Sequence, residues 1–247
     1  MAPRDPRPLA LHDELECGVR LLESGLGACR ALTPPGEDYF TPLFLLSNGF
    51  ERLLKAAICY ALLDKFGDYP KAGKRKPGWW KTHSSRRLLA DLLELAEVPG
   101  VRAQTILSHA DDEASILGQM WRVIDEQSVA EAGRYHSLDV VLSRRPLVHK
   151  GRLDPAFEWQ TIENGIASHL IEDKRVPPDA EGIDEAYRLA AMTMADEIGW
   201  LAWAIALMFK KQSLGQEVWL FSDVVEPLLG RKPPMRIVFT SASERSA

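Results

Sequence analysis

Long apolar runs are what this 247-residue chain most plainly lacks. The longest uncharged apolar stretch, IGWLAWAIALMF at residues 198–209, falls well short of the roughly 20 residues needed to cross a bilayer. A buried core helix is expected there, and no membrane span. Cysteine is scarce as well. Cys17, Cys29 and Cys59 are odd in number and show no C-x-x-C spacing, which argues against a disulfide framework. The N-terminal MAPRDPRPLALHDELE has no apolar stretch before its acids and no small-residue cleavage site, unlike a secretory leader. A reducing, cytoplasmic setting is expected.

Motifs for cofactors are also missing. There is no H-E-x-x-H and no Cys/His cluster. Gly67 and Gly73-Lys74 fail as a phosphate loop, because five residues separate the glycines and Arg75 stands where a Ser or Thr would hold magnesium. GLGA at Gly25 lies within a helical pattern with no strand before it, so it is no dinucleotide fingerprint. His109, Asp112 and Glu113 have ligand-like spacing, but a metal would need further ligands from elsewhere, and a solvated acidic face is the plainer reading. No metal and no cofactor are expected.

What is present is ordinary globular composition, 46% hydrophobic and 26% charged, in a length that suits one domain over residues 1–247. Strand signals are weak. LDVVL at 138–142 is too short to establish one, and no repeat of 20–50 residues is visible. Apolar residues at helical spacing, punctuated by Pro and Gly, predict helices over about 10–32, 41–66, 83–98, 101–127, 155–172, 183–212 and 216–229. The fold class is therefore all-α, a bundle of about six to seven helices with N- and C-terminal helical extensions. The helix through Trp200, Trp203, Ile205 and Phe209 is apolar around most of its circumference and should be central.

The second helix, within LFLLSNGFERLLKAAICYALLDKFGDYP at 43–70, is strongly apolar yet carries Glu51, Arg52 and Lys55, with Asn48 one turn earlier. Burying charge costs free energy unless it is paired. Glu51 and Lys55, four apart with the acid first, suit a pair along one face, which on an exposed helix is simply a surface ion pair. Partners of the right chemistry lie in KTHSSRRLL, from Lys81, and GRYHSLD, from Gly133. Charge is uneven elsewhere too. The net charge is -5, yet residues 65–87 hold eight basic side chains against Asp68 alone. Within them KAGKRKPGWWKTH interleaves Lys74, Arg75 and Lys76 with Trp79 and Trp80, a composition suited to phosphate contacts and base stacking. The same loop reads equally well as a charged segment whose tryptophans fold onto the core.

The pattern Glu51-Arg52-x-x-Lys55, then Tyr69-Pro70, then His83 opening the next helix, then Arg134-Tyr135-x-x-Leu138-Asp139, resembles the HEPN superfamily of all-helical prokaryotic proteins, in its abortive-infection branch. The resemblance covers about residues 40–140. Many such proteins are metal-independent ribonucleases that separate an arginine from a histidine by four to six residues and complete the site across a dimer. Histidine supplies acid–base chemistry near neutral pH, and arginine stabilises charge on the scissile phosphate. Arg144 to His149 fits that spacing in the basic context RRPLVHKGR, which also reads as a solvated loop, and Arg102 to His109 fits it beside acids that repel phosphate. With 19 arginines and 6 histidines such pairs arise by chance.

The resemblance implies a homodimer that binds RNA or a nucleotide, within a phage-defence or toxin-type system. Catalysis would fall to His83, Arg134, His136 and Glu51, with Tyr135 and Asp139 orienting. Nucleic acid would meet Arg52, Lys55, Lys74, Arg75, Lys76, Trp79, Trp80, Arg144 and His149. A non-catalytic alternative keeps Glu51, Arg52, Lys55, Arg134 and Asp139 as an ion network that holds helices in register. A further alternative makes the chain a subunit that docks a neighbouring gene's product through the tryptophan loop.

Overall fold

Three glycines allow the first two helices to touch backbone to backbone. In the computed structural model, which describes residues 5–32, 38–70, 81–128 and 154–234, α1 (Arg7–Arg30) lies antiparallel to α2 (Phe40–Phe66). A Cβ added at Gly18 would stand 3.0 Å from the Leu53 amide nitrogen, one at Gly25 would stand 2.9 Å from the Leu46 side chain, and one at Gly49 would stand 2.9 Å from the Leu22 amide nitrogen. Only glycine fits so close an approach. The contacts also fix a register in which residue 18 faces 53, 22 faces 49 and 25 faces 46.

The remaining helices wrap this pair. They are α3 (Ser85–Leu95), α4 (Val101–Asp111), α5 (Ile116–Ser128), α6 (Pro155–Glu172), α7 (Ala180–Lys210), a 3₁₀ turn over Gln216–Phe221, and the short α8 (Glu226–Leu229). No β-strand occurs among the described residues, so the all-α expectation holds. Polar caps start several helices. Ser84 accepts from the Arg87 amide, Asp154 from that of Ala156 and Asp179 from that of Gly182, each meeting one of the orphan donors of a helix start. Gly67, with φ of 69°, ends α2 in the left-handed conformation that glycine tolerates.

The single helix expected over 101–127 is in fact two. Ser115 stops it: its hydroxyl lies 2.6 Å from the His109 carbonyl and 2.8 Å from that of Asp112, and accepts the Gly118 amide at 2.8 Å. That capping folds the chain so tightly that a Cβ at Gly118 would meet the Asp112 oxygen at 2.0 Å. The C-terminal helix expected over 216–229 is likewise divided, into the 3₁₀ turn and α8. LDVVL at 138–142 lies outside the described residues.

As expected, α7 is central, packed on α1, α4, α5, α6 and α8, with Leu201, Ala202, Ile205 and Phe209 fully buried. By length and composition it could cross a membrane, but most of its apolar stretch is enclosed by the bundle, as in a core helix. Burial pushes the thiols of Cys29 and Cys59 up to about 12, so both stay protonated and unreactive near neutral pH. All three cysteines are free.

Two outcomes follow for stability. Gly49→Ala adds a methyl that must displace backbone, and the cost should exceed the gain of about 1 kcal/mol in helix propensity, leaving a net loss of about 1–3 kcal/mol in urea unfolding. Glu197 on α7 is 2% exposed, its Oε2 has no hydrogen-bond partner among the described residues, and burial pushes its carboxyl up to about 8. A carboxyl that holds its proton more tightly when folded contributes fully below its unfolded pKa of 4.5 and loses that contribution as pH rises from there through about 8. Stability should fall over that window by at most about 1.4 kcal/mol per pH unit, and Glu197→Gln should flatten the slope measured between pH 5 and pH 8.

Candidate functional site

Beyond Gly18 no glycine lies between α1 and α2, and side chains hold the helices apart. The space is a cleft of about 490 Å³. Arg7, Ala10, Leu11 and Glu14 line it from α1, and Asn48, Glu51, Arg52, Lys55, Ala56 and Cys59 from α2. Tyr69, Pro70 and His83 complete the wall. The floor is apolar and the rim charged, the usual make-up of a ligand site.

Glu51 is the centre of its polar side. Its carboxylate is only 13% exposed, and its Oε1 accepts from Lys55 Nζ at 2.8 Å and stands 3.0 Å from His83 Nδ1. A carboxylate oxygen only accepts, so Nδ1 is the donor to Glu51, and in the neutral imidazole the lone pair is on Nε2. Three features of the chain bring His83 there. Ser84 caps α3, Leu88, Leu89 and Leu92 bury α3 against its neighbours, and the Arg86 amide donates to Asp125 of α5 at 3.0 Å. The histidine that opens α3 is thereby held over the middle of α2.

Arg52 reaches across the cleft to Glu14 on α1. Arg7, at the start of α1, pairs with Asp5 at 2.7 Å and with Asp68 at 3.1 Å, and its guanidinium lies over the Tyr69 ring at 4.9 Å. Asn48 donates to the Phe44 carbonyl of its own helix at 2.7 Å. Cys59, kept as a neutral thiol by burial, is no nucleophile here.

Glu51, Arg52, Lys55 and His83, singled out from sequence, thus come together in one open cleft with Tyr69 and Pro70. Arg7 and Glu14 were not anticipated. Their charges look like any others on the exposed face of an amphipathic helix, and only the glycine-set register brings Glu14 within reach of Arg52 and Arg7 within reach of Asp68. Arg7 and His12 also have the arginine-to-histidine spacing discussed above, yet Arg7 faces the cleft while the His12 ring packs on Phe221 with centroids 5.4 Å apart. Arg102, of the Arg102 to His109 pair, donates to the Pro233 carbonyl and lines no part of the cleft. Lys74, Arg75, Lys76, Trp79, Trp80, Arg134, Tyr135, His136, Asp139, Arg144 and His149 lie outside the described residues. Among those described, no three His, Cys, Asp or Glu side chains converge as a metal site.

A second groove of about 300 Å³, lined by Leu89, Leu93, Val98, Leu107 and Trp121 with Arg86 and Asp111 at its edge, gathers no comparable set of charges. Compared with protein-family models, curated proteins and solved structures, the chain matches none.

Glu51 and Lys55 are shielded from water, so their pairing should exceed that of an exposed pair on a helix. A double-mutant cycle on Glu51→Gln and Lys55→Met should give a coupling of about 0.5–3 kcal/mol. The same cycle on Glu16 and Arg20, an exposed pair of the same spacing, should give about 0.3–0.5 kcal/mol.

Proposed function

We propose that this chain is a HEPN-like RNA-processing protein, a metal-independent ribonuclease acting in the cytoplasm as a homodimer within a phage-defence or toxin-type system. The observation that carries the reading is the shared acceptor in the cleft. One oxygen of a nearly buried Glu51 holds both His83 Nδ1 and Lys55 Nζ, in a space open to solvent. A carboxylate that fixes the tautomer of a half-exposed imidazole is the arrangement of an oriented general base.

On this reading His83 Nε2 takes the proton of an RNA 2′-hydroxyl and the 2′-oxygen attacks the adjacent phosphorus. The bond from phosphorus to the 5′-oxygen breaks, the leaving oxygen takes a proton from water, and the hydroxide so formed takes back the proton held by His83. The products are a 2′,3′-cyclic phosphate and a 5′-hydroxyl. Arg52 and Lys55 meet the charge that builds on the phosphate oxygens. Arg7, stacked on Tyr69, offers a flat cationic face to a base at the far end.

A second reading is favoured by a specific observation: Arg7, Arg52 and Lys55 each already meet a carboxylate of this chain. In that case the charges serve to tie α1, α2 and α3 together, and the protein is a helical interaction module that docks a partner.

Cleavage of a labelled RNA in the presence of EDTA separates the two. His83→Ala should slow cleavage by about 10²–10⁴-fold, and Glu51→Gln should slow it as well. Equal cleavage by wild type and His83→Ala, or none by folded wild type, overturns the nuclease reading.

A further inference from the structure

The carboxylates that neutralise the cleft's cations are not equivalent. Glu51 sits one helical turn from Lys55 on the same helix and is mostly enclosed, with His83 as a second donor. Its position is built in. Glu14 comes from the opposite helix, its side chain is 55% exposed, and its described contact is the one with Arg52, itself 41% exposed. An exposed pair of this kind contributes little, because water competes for both groups and two long side chains lose freedom to form it. Glu14 can therefore leave Arg52 and enter water at almost no desolvation cost. Glu51 cannot leave Lys55 and His83 without stranding a shielded charge.

The placement of Glu14 adds to this. It lines the cleft beside Leu11 and Ala56, so its carboxylate lies where an oxyanion bound by Arg52 would sit. A guanidinium grips a phosphate through paired, charge-assisted hydrogen bonds that one carboxylate oxygen does not match. The apolar floor strengthens whichever anion is held there.

We propose that Glu14 is a built-in competitor for the phosphate this cleft receives: it holds Arg52 until a phosphodiester of single-stranded RNA displaces it, and so sets the threshold for binding. The inference rests on the reading of the cleft as an RNA site, and goes beyond it in naming an acidic residue as the element that weakens binding. Three consequences follow. Removing the competitor tightens binding. The gain runs through Arg52. The gain shrinks with salt, because it comes from a charge near a polyanion.

The test uses the full chain and a fluorescein-labelled oligouridine, with affinity read by anisotropy at low and moderate salt. Inorganic phosphate serves as competitor, and thermal unfolding checks the fold of each variant. Glu14→Gln and Glu14→Ser should each bind about fivefold more tightly than wild type at low salt, Arg52→Ala more weakly, and the Glu14→Gln/Arg52→Ala double variant like Arg52→Ala alone. If both Glu14 variants bind as wild type does while Arg52→Ala binds more weakly, the competitor role is overturned and the cleft reading stands. If no protein binds the oligomer at low salt, the cleft reading fails and takes the inference with it. A gain for inorganic phosphate with none for the oligomer overturns RNA as the source of the displacing phosphate.

Discussion

The close approach of α1 and α2 is the constraint on which the rest of this structure depends. Gly18, Gly25 and Gly49 let two backbones come within van der Waals contact, and once they do, the relative rotation and register of the helices are no longer adjustable. That register puts Glu14 within reach of the Arg52 side chain. It brings the start of α1 to the end of α2, where Arg7 meets Asp68 and Tyr69. The same contact explains why a cleft exists where it does. Glycines draw the helices together along one half of their length, and the cleft opens beyond Gly18, where no glycine lies between them.

Charged groups inside an apolar helix raise an energetic demand, and the way it is met differs along α2. Glu51 is shielded, and shielding makes a lone carboxylate expensive. Two cationic or proton-donating partners on one oxygen answer that cost. Arg52, one residue further round, faces a wetter part of the groove and needs no such support. The long core helix shows the contrast. Glu197 is more deeply buried than Glu51 and lacks a partner among the described residues, so its carboxyl stays protonated well above the usual carboxylate range. Glu51 gains donors and Glu197 gains a proton, two solutions to one problem.

Much of this was legible in the sequence, for identifiable reasons. Apolar spacing and Pro/Gly punctuation place α1, α2, α6 and α7 within a few residues, and the core position of α7 follows from its apolar circumference. The break between α4 and α5 was not legible, because Ile106, Leu117, Met120 and Trp121 keep helical spacing across it while a single serine hydroxyl cuts the helix. At the site, Glu51 and Lys55 could be found because charge in an apolar run is conspicuous, and His83 because KTHSSRRLL offers polar groups at the start of the next helix. Glu14 and Arg7 could not. Their significance lies in what faces them, and that depends on three glycines whose effect is felt between helices and not within one.

Burial decides between a tie and a site more sharply than pairing does. A network whose only task is to lock helices gains by enclosing every member, since each exposed ion pair contributes little to stability. Here enclosure is graded: Glu51 at one end of the charged row is shielded, Arg52 and Glu14 are wet, and Arg7 is half-exposed over an aromatic ring. A gradient of that kind serves stability poorly, for it leaves the outer pairs open to competition from salt and water. It suits a surface that must release its own anions to accept another. On the nuclease reading, the fixed end would orient the imidazole and the exchangeable end would receive the charge that arrives.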